Sequence, residues 1–318
     1  MEQFDTELTR MLGISYPIIM APMFLVSTPK MLIEAYKAGI AGAIPALNFR
    51  TDEEFRKALL EIKNGCNGKA YGVNLIGNKA NIRFEEQLRT CVEFEVPFII
   101  TSLGSPKQVI EACRPQGIKV FCDVIDLSYA HRVEAMGADA LIAVNSEAGG
   151  HAGGINPEVF IPLLRKECKI PVISAGGVGN RGDLNRMLAL GACGVSVGSP
   201  YIASTEAPVS QDYKQAIVDY GAKDIVRTTK ISGTPCTVIN TPYVQKVGLQ
   251  QNWLERVLAQ NKSLKKWVKM ITYYKGMKAL EKAAFSANYQ TYWCAGKSIE
   301  DVHSIRPIAE ITQSLLVV

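Results

Sequence analysis

Short apolar runs alternate with amphipathic stretches over the first two thirds of the chain. Residues 17–20, 42–47, 70–75, 97–101, 119–123, 140–145, 171–175 and 195–198 read as strands. Between them, residues 31–37, 52–62, 82–94, 106–113, 128–136, 157–167 and 183–190 carry apolar side chains at helical spacing. Thr51 is placed to cap the second of these helices, with Glu54 at capping-box spacing. Strands that are apolar throughout, rather than alternating, are buried on both faces, as in a parallel sheet. Eight strand–helix units with no duplicated nucleotide-binding half predict a closed (β/α)8 TIM barrel; an open doubly wound sheet is the alternative.

After Gly198 the rhythm breaks. Residues 209–220 read as helix, and 226–238 as β-rich with Gly233, Thr234 and Pro235 at a turn. Residues 253–287 form a long helical stretch, and 299–318 a closing helix interrupted near Pro307. The expected organisation is a barrel over residues 1–212, a mainly helical lid or subdomain inserted over 213–298, and a closing barrel helix over 299–318.

Length and composition fit this reading. The chain has 318 residues, and a barrel of this kind takes roughly 250. A 47% hydrophobic and 20% charged composition is that of an ordinary globular protein. A net charge of +5 is too mild to imply nucleic acid, though it suits an anionic ligand. Eight cysteines without a Cys-x-x-Cys pair argue against a zinc ribbon and for reduced, buried thiols in a cytoplasmic protein. Residues 1–10 are charged and lack the apolar core of a signal peptide. No apolar run approaches the ~20 residues that span a bilayer. Nothing in the pattern excludes a homodimer.

Active sites of (β/α)8 barrels lie where strands end and the following loops begin. The unusual residues collect there: Ala21-Pro22-Met23 after strand one, Asn74 in strand three, Cys122-Asp123 in strand five. Strand seven runs through Ser174 into Gly176-Gly177, and strand eight into Gly198-Ser199. Loops seven and eight commonly make a barrel's phosphate site, where glycine backbone N–H groups approach the anion. The alternative is two tight turns that need glycine for positive φ. Loop six carries Gly149, Gly150, Gly153 and Gly154 around His151. Such a loop can lie flat against a planar ligand and bring an imidazole to it for acid–base work or an anion contact. His131 and His303 read as structural or surface residues.

With these elements the chain resembles the nitronate monooxygenase family, formerly called 2-nitropropane dioxygenases, and the related flavin-dependent enoyl-acyl-carrier-protein reductases. The resemblance covers nearly the whole chain. It is carried by Ala21-Pro22-Met23, Gly72-Val73-Asn74, Glu147-Ala148-Gly149-Gly150-His151, Ser174-Ala175-Gly176-Gly177, Val197-Gly198-Ser199 and Ala295-Gly296-Lys297-Ser298. It implies FMN as cofactor, with Ala21, Pro22 and Met23 along the flavin ring, Asn74 hydrogen-bonded to the flavin or its phosphate side, and Gly149 and Gly150 against the ring. Ser174, Gly176, Gly177, Gly198 and Ser199 would form the phosphate site. His151 would be the catalytic residue, with Asn48 and Cys122 as further candidates for contact. The implied reaction is oxidation of an alkyl nitronate or nitroalkane with O2, giving a carbonyl compound and nitrite. Val144-Asn145, Ser199, Pro200 and Lys297 depart from the family's usual residues and bear on the substrate more than on the cofactor. Three other activities fit the pattern: an NAD(P)H-dependent reductase of enoyl thioesters or quinones, a flavin-free lyase or isomerase of a phosphorylated metabolite, and a non-catalytic flavin- or phosphate-binding module.

Overall fold

A computed structural model describes residues 4–78, 81–230, 235–250 and 292–317. Eight parallel strands follow one another around a closed barrel: β1 Ile18–Met20, β2 Ala41–Pro45, β3 Tyr71–Ile76, β4 Phe98–Ser102, β5 Lys119–Val124, β6 Ala140–Val144, β7 Val172–Ala175 and β8 Gly194–Val197. β8 pairs back onto β1, with Ile18 opposite Val195 and Met20 opposite Val197. The chain is therefore a (β/α)8 barrel, and the open-sheet alternative falls away.

Alternation along the strands sorts their side chains into two layers. Ile19, Phe98, Ile100, Phe121, Ile142 and Ile173 fill the barrel interior. Their neighbours Ile18, Met20, Val73, Ile99, Val120 and Leu141 point outward beneath the helices. Phe98 and Phe121 stack inside, with ring centroids 5.2 Å apart. Gly72 lies against the Phe98 ring, where any Cβ would overlap it.

The connecting helices are α2 Pro29–Lys37, α3 Asp52–Gly65, α4 Phe84–Glu93, α5 Lys107–Cys113, α6 Leu127–Met136, α7 Pro157–Glu167 and α8 Arg181–Ala189. Thr51 and Glu54 form the expected capping box at the start of α3. One helix, α1 Glu7–Leu12, has no counterpart in the sequence reading, because six residues are too few to show a period. Its Leu8 and Leu12 join the inner cluster, and Leu8 occupies the space that a Cβ on Gly194 would need. Gly194 begins β8, so α1 plugs the barrel at the strands' N-terminal ends.

Beyond β8 come α9 Ser199–Ile202, α10 Gln211–Asp219 and an antiparallel pair, β9 Ile225–Thr228 with β10 Cys236–Ile239. α11 Pro242–Val247 follows. The expected long helix over 253–287 lies outside the described residues. The expected closing helix over 299–318 is a 3-10 turn, Lys297–Asp301, followed after Pro307 by α12 Ile308–Ser314, which packs on α2. In the gap between them, Ser204 and Arg306 form a bridge. No helix among the described residues is long and apolar enough to cross a membrane. All eight cysteines are free thiols and seven are buried; burial pushes Cys113, Cys122 and Cys193 up to about 12, which makes them inert packing groups.

Candidate active site

With α1 at one end of the barrel, the C-terminal strand ends open into a cavity of about 750 Å³. Ala21, Pro22, Met23, Asn74, Gly149, Gly150 and His151 all line it, as do Gly176, Gly177, Gly198 and Ser199. Three candidates fall elsewhere. Cys122 points into the layer between barrel and helices, where it accepts a hydrogen bond from Thr101 Oγ1 at 3.3 Å. Ser174 is fully buried and donates to Met187 Sδ at 3.3 Å. In both strands it is the next residue, Asp123 or Ala175, that faces the cavity. Asn48 braces the loop after β1: its Nδ2 donates to Ser27 O at 3.0 Å, and its Oδ1 accepts from Leu25 N at 2.9 Å.

The glycines serve two purposes. Loop six, loop seven and the returning segment 295–298 meet backbone to backbone. A Cβ on Gly149 would lie 2.8 Å from Gly296 N, and one on Gly296 would lie 2.5 Å from Glu147 O. Gly176, at φ +113°, would place a Cβ into the Ala148 backbone. These positions need glycine for close approach, whatever ligand is bound. Gly150 and Gly198 differ: a Cβ on Gly150 would meet nothing within 4 Å, and one on Gly198 would make ordinary contact, 3.6 Å, with Ala21 Cβ. Ser199 Oγ accepts from Gly296 N at 2.8 Å, tying loop eight into the same seam.

Four further residues fix this seam; of these the sequence marks only Asn145, and as a departure from the family rather than as a brace. Asn145 is fully buried: its Nδ2 donates to Gly176 O at 3.1 Å and its Oδ1 accepts from Glu147 N at 2.8 Å. Arg186 on α8 reaches back to Glu147 Oε2 at 3.0 Å and Gly177 O at 3.2 Å. Thr237 on β10 clamps loop six from outside. Its Oγ1 donates to Ala148 O at 2.6 Å, and its N–H donates to Gly150 O at 2.7 Å. Arg227 on β9 adds a hydrogen bond to Gly153 O.

His151 thus sits on a loop gripped by α8 on one side and the β9–β10 hairpin on the other. By surface area its imidazole is exposed, because it faces the open cavity. Protein walls nonetheless crowd the ring, and that desolvation lowers its pKa below the ordinary value.

A second polar group lies on the walls made by β3, β4 and β5. Asn74 Nδ2 donates to Ile100 O at 3.2 Å and to Ser102 Oγ at 2.8 Å, and Ser102 Oγ donates to Asp123 Oδ2. Burial raises the Asp123 carboxyl to about 6, against the opposing effect of the Ser102 hydrogen bond. At the same rim Arg132 lies over the Tyr129 ring, 5.2 Å from its centroid. The sequence signal for Asp123 was its place at a strand end beside Cys122, one residue from the position chosen.

The chain matches known proteins over most of its length. The nitronate monooxygenase family profile covers residues 45–317. The nitronate monooxygenase of Paraburkholderia phytofirmans is 29% identical over 269 residues, 70% of this chain and 73% of that protein. A 5-hydroxy-7a-methyl-1-oxo-octahydro-1H-indene-4-carboxyl-CoA dehydrogenase of Rhodococcus jostii is 26% identical over 78% of this chain and 69% of its own. Among solved structures, FabK from Thermotoga maritima superposes with a TM-score of 0.85 at 28% identity, covering 98% of this chain and 95% of its own. A nitroalkane oxidase from Streptomyces ansochromogenes, 22% identical with a TM-score of 0.78 over 97% and 96% of the two chains, shares the fold. With the family profile matched from residue 45 to residue 317 on a closed eight-stranded barrel, the chain belongs to the nitronate monooxygenase family and is a flavin-dependent oxidoreductase.

Proposed function

We propose that the cavity holds FMN and that the protein oxidises alkyl nitronates with O2 to a carbonyl compound and nitrite. The observation that carries this reading is the placement of His151: a crowded imidazole on a clamped glycine loop, in the same cavity as the loop-seven and loop-eight glycines. The cavity volume falls in the range of cofactor sites, roughly 300–1,000 Å³. Its residues fit the cofactor. Gly150 and Gly198 leave room where a side chain would intrude, Asn74 offers a polar contact, and Pro22 and Met23 offer apolar surface. Gly176, Gly177, Gly198 and Ser199 would hold the phosphate. When bound, the flavin would supply the redox chemistry between nitronate and O2.

The chain's own contribution is orientation and proton handling. With its pKa lowered, His151 is neutral at neutral pH. A neutral imidazole can donate one N–H to a nitronate oxygen, or accept the Cα proton of a neutral nitroalkane at its other nitrogen. In this reading the described parts of the segment after β8 close the cavity, with Tyr213, Cys236, Tyr292 and Cys294 in its wall. His151→Ala tests the assignment: FMN stays bound while nitronate turnover falls at least about 100-fold. Wild-type turnover in that variant would remove His151 from the mechanism.

A second reading has specific support. The fit to FabK extends over 98% of the chain, and Leu103, Ile125, Pro235 and Tyr292 give the cavity apolar walls suited to an acyl chain. An NAD(P)H-dependent reductase of enoyl thioesters would use the same fold and cofactor. Anaerobic addition of NADH separates the two, because rapid bleaching of the flavin supports the reductase.

A further inference from the structure

The hydrogen bonds around Asn74 have a direction that chemistry alone settles. Ile100 contributes a main-chain carbonyl, which can only accept, so the group 3.2 Å from it must be the amide NH2. The second N–H of that NH2 goes to Ser102 Oγ at 2.8 Å. Ser102 has then used its oxygen as acceptor, and its own proton goes to the Asp123 carboxylate. Both Asn74 donors are spent inside the wall. Its Oδ1 has no partner among the described residues, and the side chain borders the cavity. Asp123 also borders the cavity.

The surrounding backbone is built to hold Ser102 in place. Leu103, the next residue, is held at φ +57°, a left-handed conformation that is strained for a non-glycine residue. Gly104 packs directly on the Gly77 backbone, and its carbonyl accepts from the Tyr129 hydroxyl.

We propose that Asp123, acting through Ser102, is a positioning residue that fixes Asn74 with its carbonyl oxygen toward the cavity, so that the site presents a hydrogen-bond acceptor to an N–H of its ligand. The chemical class it selects is an imide or amide N–H, such as the pyrimidine edge of a flavin carries. The identity of that donor rests on the flavin reading; the positioning does not. When Asp123 is protonated it is a weaker acceptor, Ser102 is no longer held to one direction, and the Asn74 amide keeps only its anchor on Ile100 O. The titratable groups around Asp123 are Cys122 on its own strand and Tyr129 on α6. Farther along the cavity wall are Asp126, Arg132, Glu147 and His151. Asp126 caps α6 and Glu147 is paired with Arg186.

The test compares wild type, Asp123→Asn and Ser102→Ala. In flavin-free protein, NMR follows the Asn74 side-chain amide protons as pH is lowered through about 6. The wild-type proton directed at Ser102 is protected above that pH and loses protection below it; in both variants it is unprotected throughout, while the proton directed at Ile100 O stays protected. FMN is then added to each protein, and affinity is read from flavin fluorescence. Riboflavin repeats the measurement, because FMN's own phosphate titrates near pH 6. Wild-type affinity falls about tenfold through the transition, the loss of one charge-assisted hydrogen bond. Asp123→Asn is weaker by about that factor above the transition and flat across it. Equal protection of the Asn74 amide in Asp123→Asn overturns the proposal, as does an unchanged flavin affinity and pH profile. A wild type that binds neither flavin, while its Asn74 amide still follows Asp123, refutes the flavin reading and leaves the positioning intact.

Discussion

Thr237→Val probes the coupling between the β9–β10 hairpin and loop six, which carries His151. Valine has the shape of threonine, so the backbone bonds between Thr237 and Gly150, 2.7 and 3.3 Å, survive. What is lost is the Oγ1 donation to Ala148 O at 2.6 Å and its weaker share to Gly150 O at 3.2 Å. Gly150 O keeps its main-chain partner, whereas Ala148 O, in a residue only 6% exposed, is left without one. A lost hydrogen bond plus a stranded buried carbonyl amounts to about 1–3 kcal/mol. Because the contact joins two loops at the cavity, the cost falls on local opening of loop six more than on global unfolding. Hydrogen exchange at the amides of residues 149–153 should quicken by about tenfold to 100-fold. Nitronate turnover should fall about tenfold while FMN remains bound, since each tenfold in rate corresponds to about 1.4 kcal/mol. Unchanged exchange and unchanged turnover in Thr237→Val would refute the idea that the hairpin holds the loop in its working position.

Three other substitutions separate packing, charge and chemistry. Gly176→Ala introduces a Cβ into the Ala148 backbone at φ +113°, and should cost about 2–4 kcal/mol by denaturant unfolding. Gly150→Ala, at φ +71° with open space around it, should cost only about 1 kcal/mol. Asp123→Asn should stabilise the protein. The Asp123 carboxyl is raised from 3.8 to about 6, so the folded state holds its proton more tightly than the unfolded chain. Wild-type stability therefore drops as pH rises from about 4 through about 6, and the ionised form costs up to about 3 kcal/mol above that window. The variant should be more stable than wild type at neutral pH, with the gap closing toward pH 4; a constant gap would contradict the linkage.

The sequence carried the barrel because its strands are buried on both faces and end in glycine, proline or asparagine. The end of the barrel that opens was legible for the same reason. Period two also explains what went astray. Cys122 and Ser174 stand one residue from Asp123 and Ala175, and a fully apolar strand carries no alternation to say which of two neighbours faces inward. The plug α1 is six residues long, too short for a period to emerge. The grips on loop six were invisible for another reason. Arg186 and Thr237 lie 39 and 89 residues from Glu147 and Ala148, and nothing local marks such partners. Gly176 reads from the sequence as part of a phosphate cradle and Gly149 as lying along the flavin, yet both, with Gly296, are also demanded by backbone packing, a requirement that appears only when three loops are seen together.

The most direct test of the central claim is rapid anaerobic mixing of the FMN-loaded protein with an alkyl nitronate, followed by admission of O2, in wild type and His151→Ala. The wild-type flavin spectrum should be perturbed on mixing and return with O2 as nitrite appears, while His151→Ala should bind the same flavin and form nitrite at least about 100-fold more slowly. A flavin that ignores the nitronate but bleaches at once with NADH would contradict the claim.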